Sequence, residues 1–285
     1  MKRYGCLPII VLVVFCGCKP QSSPTTSEVS YSNSPDPPPQ NIAGHLTTSS
    51  TPADLVIEEI DFMKIRSGHF VMGSPTTEPG HQPQEKQTFV VIPSVLWVSR
   101  TEITQTQFER IAGFNPSISQ GPNYPVTMVS WEDTQDFLEK LNNRSQEYHF
   151  RLPTEAEWEY ACRAGSDLPF PPTEGKQHEM ETALQKWQQG DKDFLQRYLG
   201  HIGWIDQSEL HPVGKLQTNN FGLHDMIGNV WEWCDSQKPT IEQPIRGGAW
   251  SSTDILGCRS AFRGFEPRDS HKDSIGFRIV AEISP

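Results

Sequence analysis

Hydrophobic and polar positions divide the chain into a short apolar run at residues 7–15, a polar stretch without periodicity to about 54, and a patterned remainder. Between 55 and 100, short apolar runs alternate with turns, and "DFMKIRSGHFVMGS" and "TFVVIPSVLWVSR" read as strands. Three helices follow, each with its own start signal. In "TQTQFERIAG", Thr104 and Gln107 stand at capping-box spacing, Phe108, Ile111 and Ala112 form one apolar face, and Gly113 ends it. In "SWEDTQDFLEKLNNR", Ser130 and Asp133 cap, while Trp131, Thr134, Phe137, Leu138 and Leu141 line a face. In "PTEAEWEYACRAG", Thr154 and Glu157 cap, and Trp158, Ala161 and Cys162 point inward. Residues 174–199 are charged and helical in pattern, with few apolar anchors. From 212 onward the pattern returns to short strands and long turns. Helices followed by irregular strands predict an α+β domain rich in loop, with the eight tryptophans holding loops together.

The first 54 residues change the picture of where this domain works. Lys2 and Arg3 precede the apolar run, which at nine residues is too short to span a bilayer and reads as a secretory signal. Gly17 before Cys18 resembles a bacterial lipobox, in which the signal is cut ahead of a cysteine that becomes acylated. Phe15 and Cys16 depart from that pattern, and a plain cleaved signal or a retained anchor are the alternatives. The expected organisation is a signal at 1–17, a lipidated Cys18 with a disordered tether at 18–54, and a folded domain at 55–285. The tether is rich in Ser, Thr and Pro and cannot bury enough surface to offset its ordering entropy. Lys19, in place of the inner-membrane retention residue Asp, points to the outer membrane of a diderm host. Losing Lys2 and Arg3 and no acid takes the net charge from −11 to −13. That acidity argues against nucleic acid or an anionic membrane surface as a partner. The lipid anchor would still tie the chain to a membrane.

Seven motifs in order carry a family resemblance: "FVMGS", "PVTMVSWEDTQDFLEKLN", "FRLPTEAEWEYACRAG", "NNFGLHDMIGNVWEWC", "RGGAW", "CRSAFR" and "GFRIV". Together they make the chain, from about 58 to 281, resemble the formylglycine-generating enzymes, or sulfatase-modifying factor domains. The resemblance implies a variant of the C-type lectin fold. Active oxidases of this family convert a sulfatase cysteine to formylglycine, using two cysteines shortly after the RGG motif to hold copper. Soft thiolates are what select Cu(I). Here the first of those positions falls on Ser252 and the second near Gly257, so no copper is expected. The resemblance matches Cys258 instead to a structural cysteine that pairs with Cys162, in keeping with an exported setting. Cys258 as a lone nucleophile is the alternative. Cys234 is left as a buried free thiol.

In "DMIGNVWEW", period-two alternation puts Trp231 and Trp233 on one strand face, and Val230 and Glu232 on the other. Asp225 and Glu232 are hard oxygen donors on either side of a turn, which suits calcium. The resemblance implies one structural calcium, held by the Asp225 and Glu232 side chains and the Gly228 and Val230 carbonyls. The alternative leaves Asp225 in the turn and Glu232 paired with an arginine. The family's second calcium loop has no counterpart in "HIGWIDQSELHPVG". Arg151, Glu155, Glu157, Arg246 and Arg278 are expected to form ion pairs that position loops. The nine histidines show no metal-ligand spacing.

Three functions remain. The first is a tethered, non-oxidase member with a binding or scaffolding role, its ligand a peptide, protein or glycan. The second is a divergent oxidase that makes formylglycine in a sulfatase. The third, an iron-dependent sulfoxide synthase of the ergothioneine type, needs an additional histidine-bearing helical domain that this chain has no stretch to supply.

Overall fold

Alternation builds the largest sheet of the domain, seen in a computed structural model that describes residues 54–284. The signal segment, Cys18 and all but the last tether residue lie outside the described residues. The sheet runs β1 (Leu55–Ile57), β2 (Ile60–Ile65), β5 (Leu96–Ser99), β13 (Val280–Ile283) and β6 (Tyr148–Arg151), antiparallel throughout. Both faces of it are apolar. Phe62 and Ile60 of β2 face one core, while Met63 and Ile65 face the other. The sheet is therefore a partition between two cores and not a wall with a wet side.

On one side, α1 (Gln105–Ala112) and α2 (Trp131–Asn142) pack their Phe108 and Phe137 rings 5.3 Å apart, with Phe277 edge-on to both. On the other, α3 (Glu155–Arg163), α4 (Gln177–Gln188) and α5 (Lys192–Leu199) bury Trp158, Cys162, Met180, Leu195 and Leu199. All three expected capping boxes form: Thr104 with Gln107, Ser130 with Asp133, and Thr154 with Glu157. Gly113 ends α1 at φ 94°, a left-handed conformation that glycine adopts without strain.

Residues 174–199 depart from expectation by forming two helices. Gly190 takes φ 99°, and the Asp191 side chain caps α5 by accepting from the Phe194 amide at 3.3 Å. The pair is also better anchored than its charge suggests, since Met180, Ala183, Leu195, Tyr198 and Leu199 are all buried.

The remaining strands are short. β3 (Gly68–Met72) and β4 (Thr88–Ile92) form a hairpin, and β7 (Gly203–Trp204) runs parallel to β8 (Ile227–Gly228). A second sheet runs β11 (Gly264–Pro267), β10 (Glu242–Arg246), β9 (Trp231–Trp233) and β12 (Ile275–Gly276), with only the β9–β12 pair parallel. Trp233 is buried on β9 and donates its indole N–H to the Val129 carbonyl at 3.0 Å. Among the described residues, no helix is long and apolar enough to cross a membrane.

Candidate functional site

β10 ends at Arg246 and delivers the chain into Gly247 and Gly248, both at positive φ (94° and 81°). A side chain on Gly248 would run into the Cys258 sulfur, so glycine is what lets that sulfur pack under the turn. A short 3-10 turn, Ile255–Cys258, then folds back toward Ser252. The Ser252 hydroxyl accepts from the Ala249 amide at 3.0 Å, and it lies near enough to the Cys258 thiol to ease its ionisation. Burial pushes that thiol up to about 12. Ser252 lies in the turn after Gly248, with Cys258 near it. The 3-10 turn carries residue 258 back to it, a return that linear alignment does not display.

The Cys162–Cys258 bond implied by the resemblance is not formed in the structure, where Cys162, Cys234 and Cys258 are all free and buried. The reason is local packing. Cys162, on α3, donates to the Ser260 hydroxyl at 3.4 Å and faces the Met226 carbonyl, while the Cys258 sulfur packs under Gly248. Burial raises the Cys162 thiol to about 12 as well. None of the three is a thiolate at neutral pH.

Around this turn the charges are paired. Arg246 is fully buried and donates to Glu159 at 2.7 Å, Arg163 donates to the other Glu159 oxygen at 2.8 Å, and Arg263 holds Glu155. Arg259, also buried, holds Glu85 and Glu78 and so ties the loop after β3 to the Cys258 turn. Arg151 grips Glu157 through two bonds of 2.7 Å. Sequence reasoning reached Arg151, Glu155, Glu157, Arg246 and Arg278 as loop-positioning pairs. It missed Glu159, Arg259, Glu78 and Glu85, although the i,i+4 spacing of Glu159 and Arg163 on α3 was a usable signal. Beside Leu256 and Arg259 opens a cleft of about 350 Å³, floored by Phe170, Leu184 and Trp187 and rimmed by Glu78 and Glu181.

The expected calcium ligands are gathered but not alike. Asp225 is fully buried at φ 54°, and its Oδ2 accepts from the Gly214 amide at 2.6 Å while Oδ1 has no partner. Burial raises its carboxyl to about 6. Gly228 sits at φ 75°, where a side chain would strike the Trp204 backbone, and Val230 is buried beside it. Glu232 is committed elsewhere: Arg278 donates to both its oxygens at 2.6 and 2.7 Å, and the Trp158 indole adds a third bond at 2.6 Å. A carboxylate with three donors already on it is a poor ligand for an ion. Asp225 therefore fits a hard cation and Glu232 does not. A further acid, Glu102, is buried beside them, where burial and then the Asp225 and Glu232 charges raise its proton affinity. It stands in "RTEIT" with no motif to mark it. Among the described residues, no group of three or more His, Cys, Asp or Glu side chains forms a common metal cage.

Over 267 residues the chain is 27% identical to a formylglycine-generating enzyme of Mycobacterium tuberculosis, covering 84% of this chain and 81% of that one. It is 30% identical over 202 residues to the inactive Cα-formylglycine-generating enzyme 2 of Bos taurus, covering 66% and 60%. It is 27% identical to the chaperone protein LppX of Paenibacillus barcinonensis, covering 56% and 71%. Among solved structures, PvdO from Pseudomonas aeruginosa is 25% identical with a TM-score of 0.62, covering 79% and 95%. The fold class is the expected α+β, formylglycine-generating-enzyme type. The model of the sulfatase-modifying factor enzyme 1-like domain matches residues 50–283, and the chain belongs to that family.

Proposed function

We propose that this chain is a non-oxidase member of the family, tethered to the cell envelope through a lipid on Cys18 and serving to bind a peptide, protein or glycan. One observation carries the reading: the turn after the RGG motif holds a hydroxyl and one protonated thiol, Ser252 and Cys258. Copper(I) is held by soft thiolates, and this donor set offers at best one, with its proton strongly retained. Relatives described as an inactive formylglycine-generating enzyme and as the chaperone LppX support a role without oxidation.

The test is incubation of the purified chain with a cysteine-bearing sulfatase peptide, copper and oxygen. We expect no aldehyde by mass spectrometry, and its formation would establish the divergent oxidase instead. For the tether, metabolic labelling with a clickable fatty acid should mark the wild type and spare Cys18→Ala. Equal labelling of the two would remove the anchor from the reading.

A further inference from the structure

Glu78 is a buried carboxylate with less positive charge beside it than it needs. It sits on the loop after β3, where its amide donates to the Pro75 carbonyl at 2.9 Å, and it is 9% exposed. Its Oε1 accepts from Arg259, and among the described residues no donor reaches its Oε2. That guanidinium is shared. It also bonds both oxygens of Glu85, at 2.8 and 3.0 Å, so one cation serves two buried acids. Glu85 accepts further from the Ser74 hydroxyl at 2.6 Å and is the better held of the two. Arg163 is committed to Glu159 and to the Leu168 and Gly73 carbonyls, and His81 approaches Glu85 and not Glu78. Burial accordingly raises the proton affinity of Glu78 in spite of the bond from Arg259. A buried acid is ordinarily paired, and this one is left a charge short.

Glu78 lines the cleft beside Leu256, whose volume of about 350 Å³ suits a small ligand or a single side chain. Helix α4 supplies another wall, with Glu181, Leu184 and Trp187 three apart on one face. Leu184 and Trp187 are half-buried there, against a fully buried Phe170. Glu181 and Asp167 add negative charge, and among the described residues Arg259 is the one cationic side chain in the lining. An apolar floor beside an acceptor without a donor favours a cation on a hydrocarbon stem. The stem would pack on the floor, and an indole face attracts the charge.

We propose that this cleft binds a primary ammonium group on an apolar stem, the ammonium donating to Glu78 and the stem lying against Leu184 and Trp187. This rests on the binding role given above and adds the chemical class of the ligand. A lysine side chain of a partner protein and a free alkylamine share that chemistry.

Calorimetric titration of the full chain with pentylammonium, set against pentanol as its uncharged match, tests the proposal. Pentylammonium is expected to bind, and pentanol to bind at least about tenfold more weakly. Glu78→Gln keeps the shape and removes the charge, while Trp187→Ala takes no part in the Arg259 bonds. Each should weaken pentylammonium by a similar factor. A blocked peptide with one central lysine distinguishes the sources: tighter binding than pentylammonium assigns a protein partner, and weaker binding a free amine. Equal affinity for pentylammonium and pentanol, or no binding of either, overturns the inference. So does a peptide that binds equally well when its lysine is acetylated. Unchanged affinity in Trp187→Ala overturns the placement, even where Glu78→Gln fails to fold. None of these results bears on oxidation, which the aldehyde assay reads separately.

Discussion

On the proposed reading, Ser252 decides what the turn after the RGG motif can bind, because its hydroxyl leaves Cys258 as the one buried thiol there. The same burial predicts how the cysteines behave. Cys162, Cys234 and Cys258 should resist an alkylating reagent in the folded protein and react fully once it is denatured. Peptide mapping without reduction should recover Cys162 and Cys258 unlinked, and a cross-linked 162–258 peptide would reinstate the bond that the resemblance implied. The sequence made both residues legible as interior, through the face of α3 and the "CRSAFR" motif. What each sulfur touches was not legible, because that depends on how a 3-10 turn and the Ser260 hydroxyl meet in space. Glu102 was hidden for a related reason. Its importance lies in what surrounds it, and a lone glutamate between Thr101 and Ile103 announces nothing.

The elements were legible where their causes are local. Each of α1, α2 and α3 begins at a capping box whose two members are three residues apart, and each forms as the spacing predicts. Thr154→Ala should therefore cost roughly 1 kcal/mol, read from a denaturant midpoint shift at constant slope. Glu159 belongs to a different class. It is the shared acceptor of Arg163 and Arg246, both buried, so Glu159→Gln leaves two guanidiniums short of a counter-charge. A loss of roughly 3–5 kcal/mol is expected, and a loss below about 1 kcal/mol would show that the pair is not the support for the β10 turn. The break at Gly190 could have been read from "QQGDKDF", where glycine precedes a capping aspartate. The overall charge of the segment masked it, together with the anchors that hold α4 and α5 to the core.

For the whole molecule, the ion pairs set the response to acid. Burial opposes ionisation of Glu157, but the paired bonds from Arg151 outweigh it and hold its carboxyl below the usual range. A depressed folded value means that the stabilisation is present above the ordinary glutamate value of about 4.3 and fades as pH falls through the lower folded one. Glu157→Gln should accordingly lower the melting temperature near neutrality, with the gap to wild type closing in acid. A gap independent of pH would assign the loss to packing. Much of the architecture was open to sequence reading, since the strand and helix periods give an α+β domain. The order of strands was not, because partners far apart in sequence leave no local mark. One of those partnerships bears on time. β13 lies between β5 and β6 and supplies both with hydrogen bonds, yet it is made after every other strand of its sheet. Until residues 280–283 exist, β5 and β6 have nothing to join them, and the partition between the two cores stays open. Folding of this domain is thus expected to wait until synthesis has passed that strand. Chains stopped before residue 280 should remain protease-sensitive, whereas those carried past 284 should not.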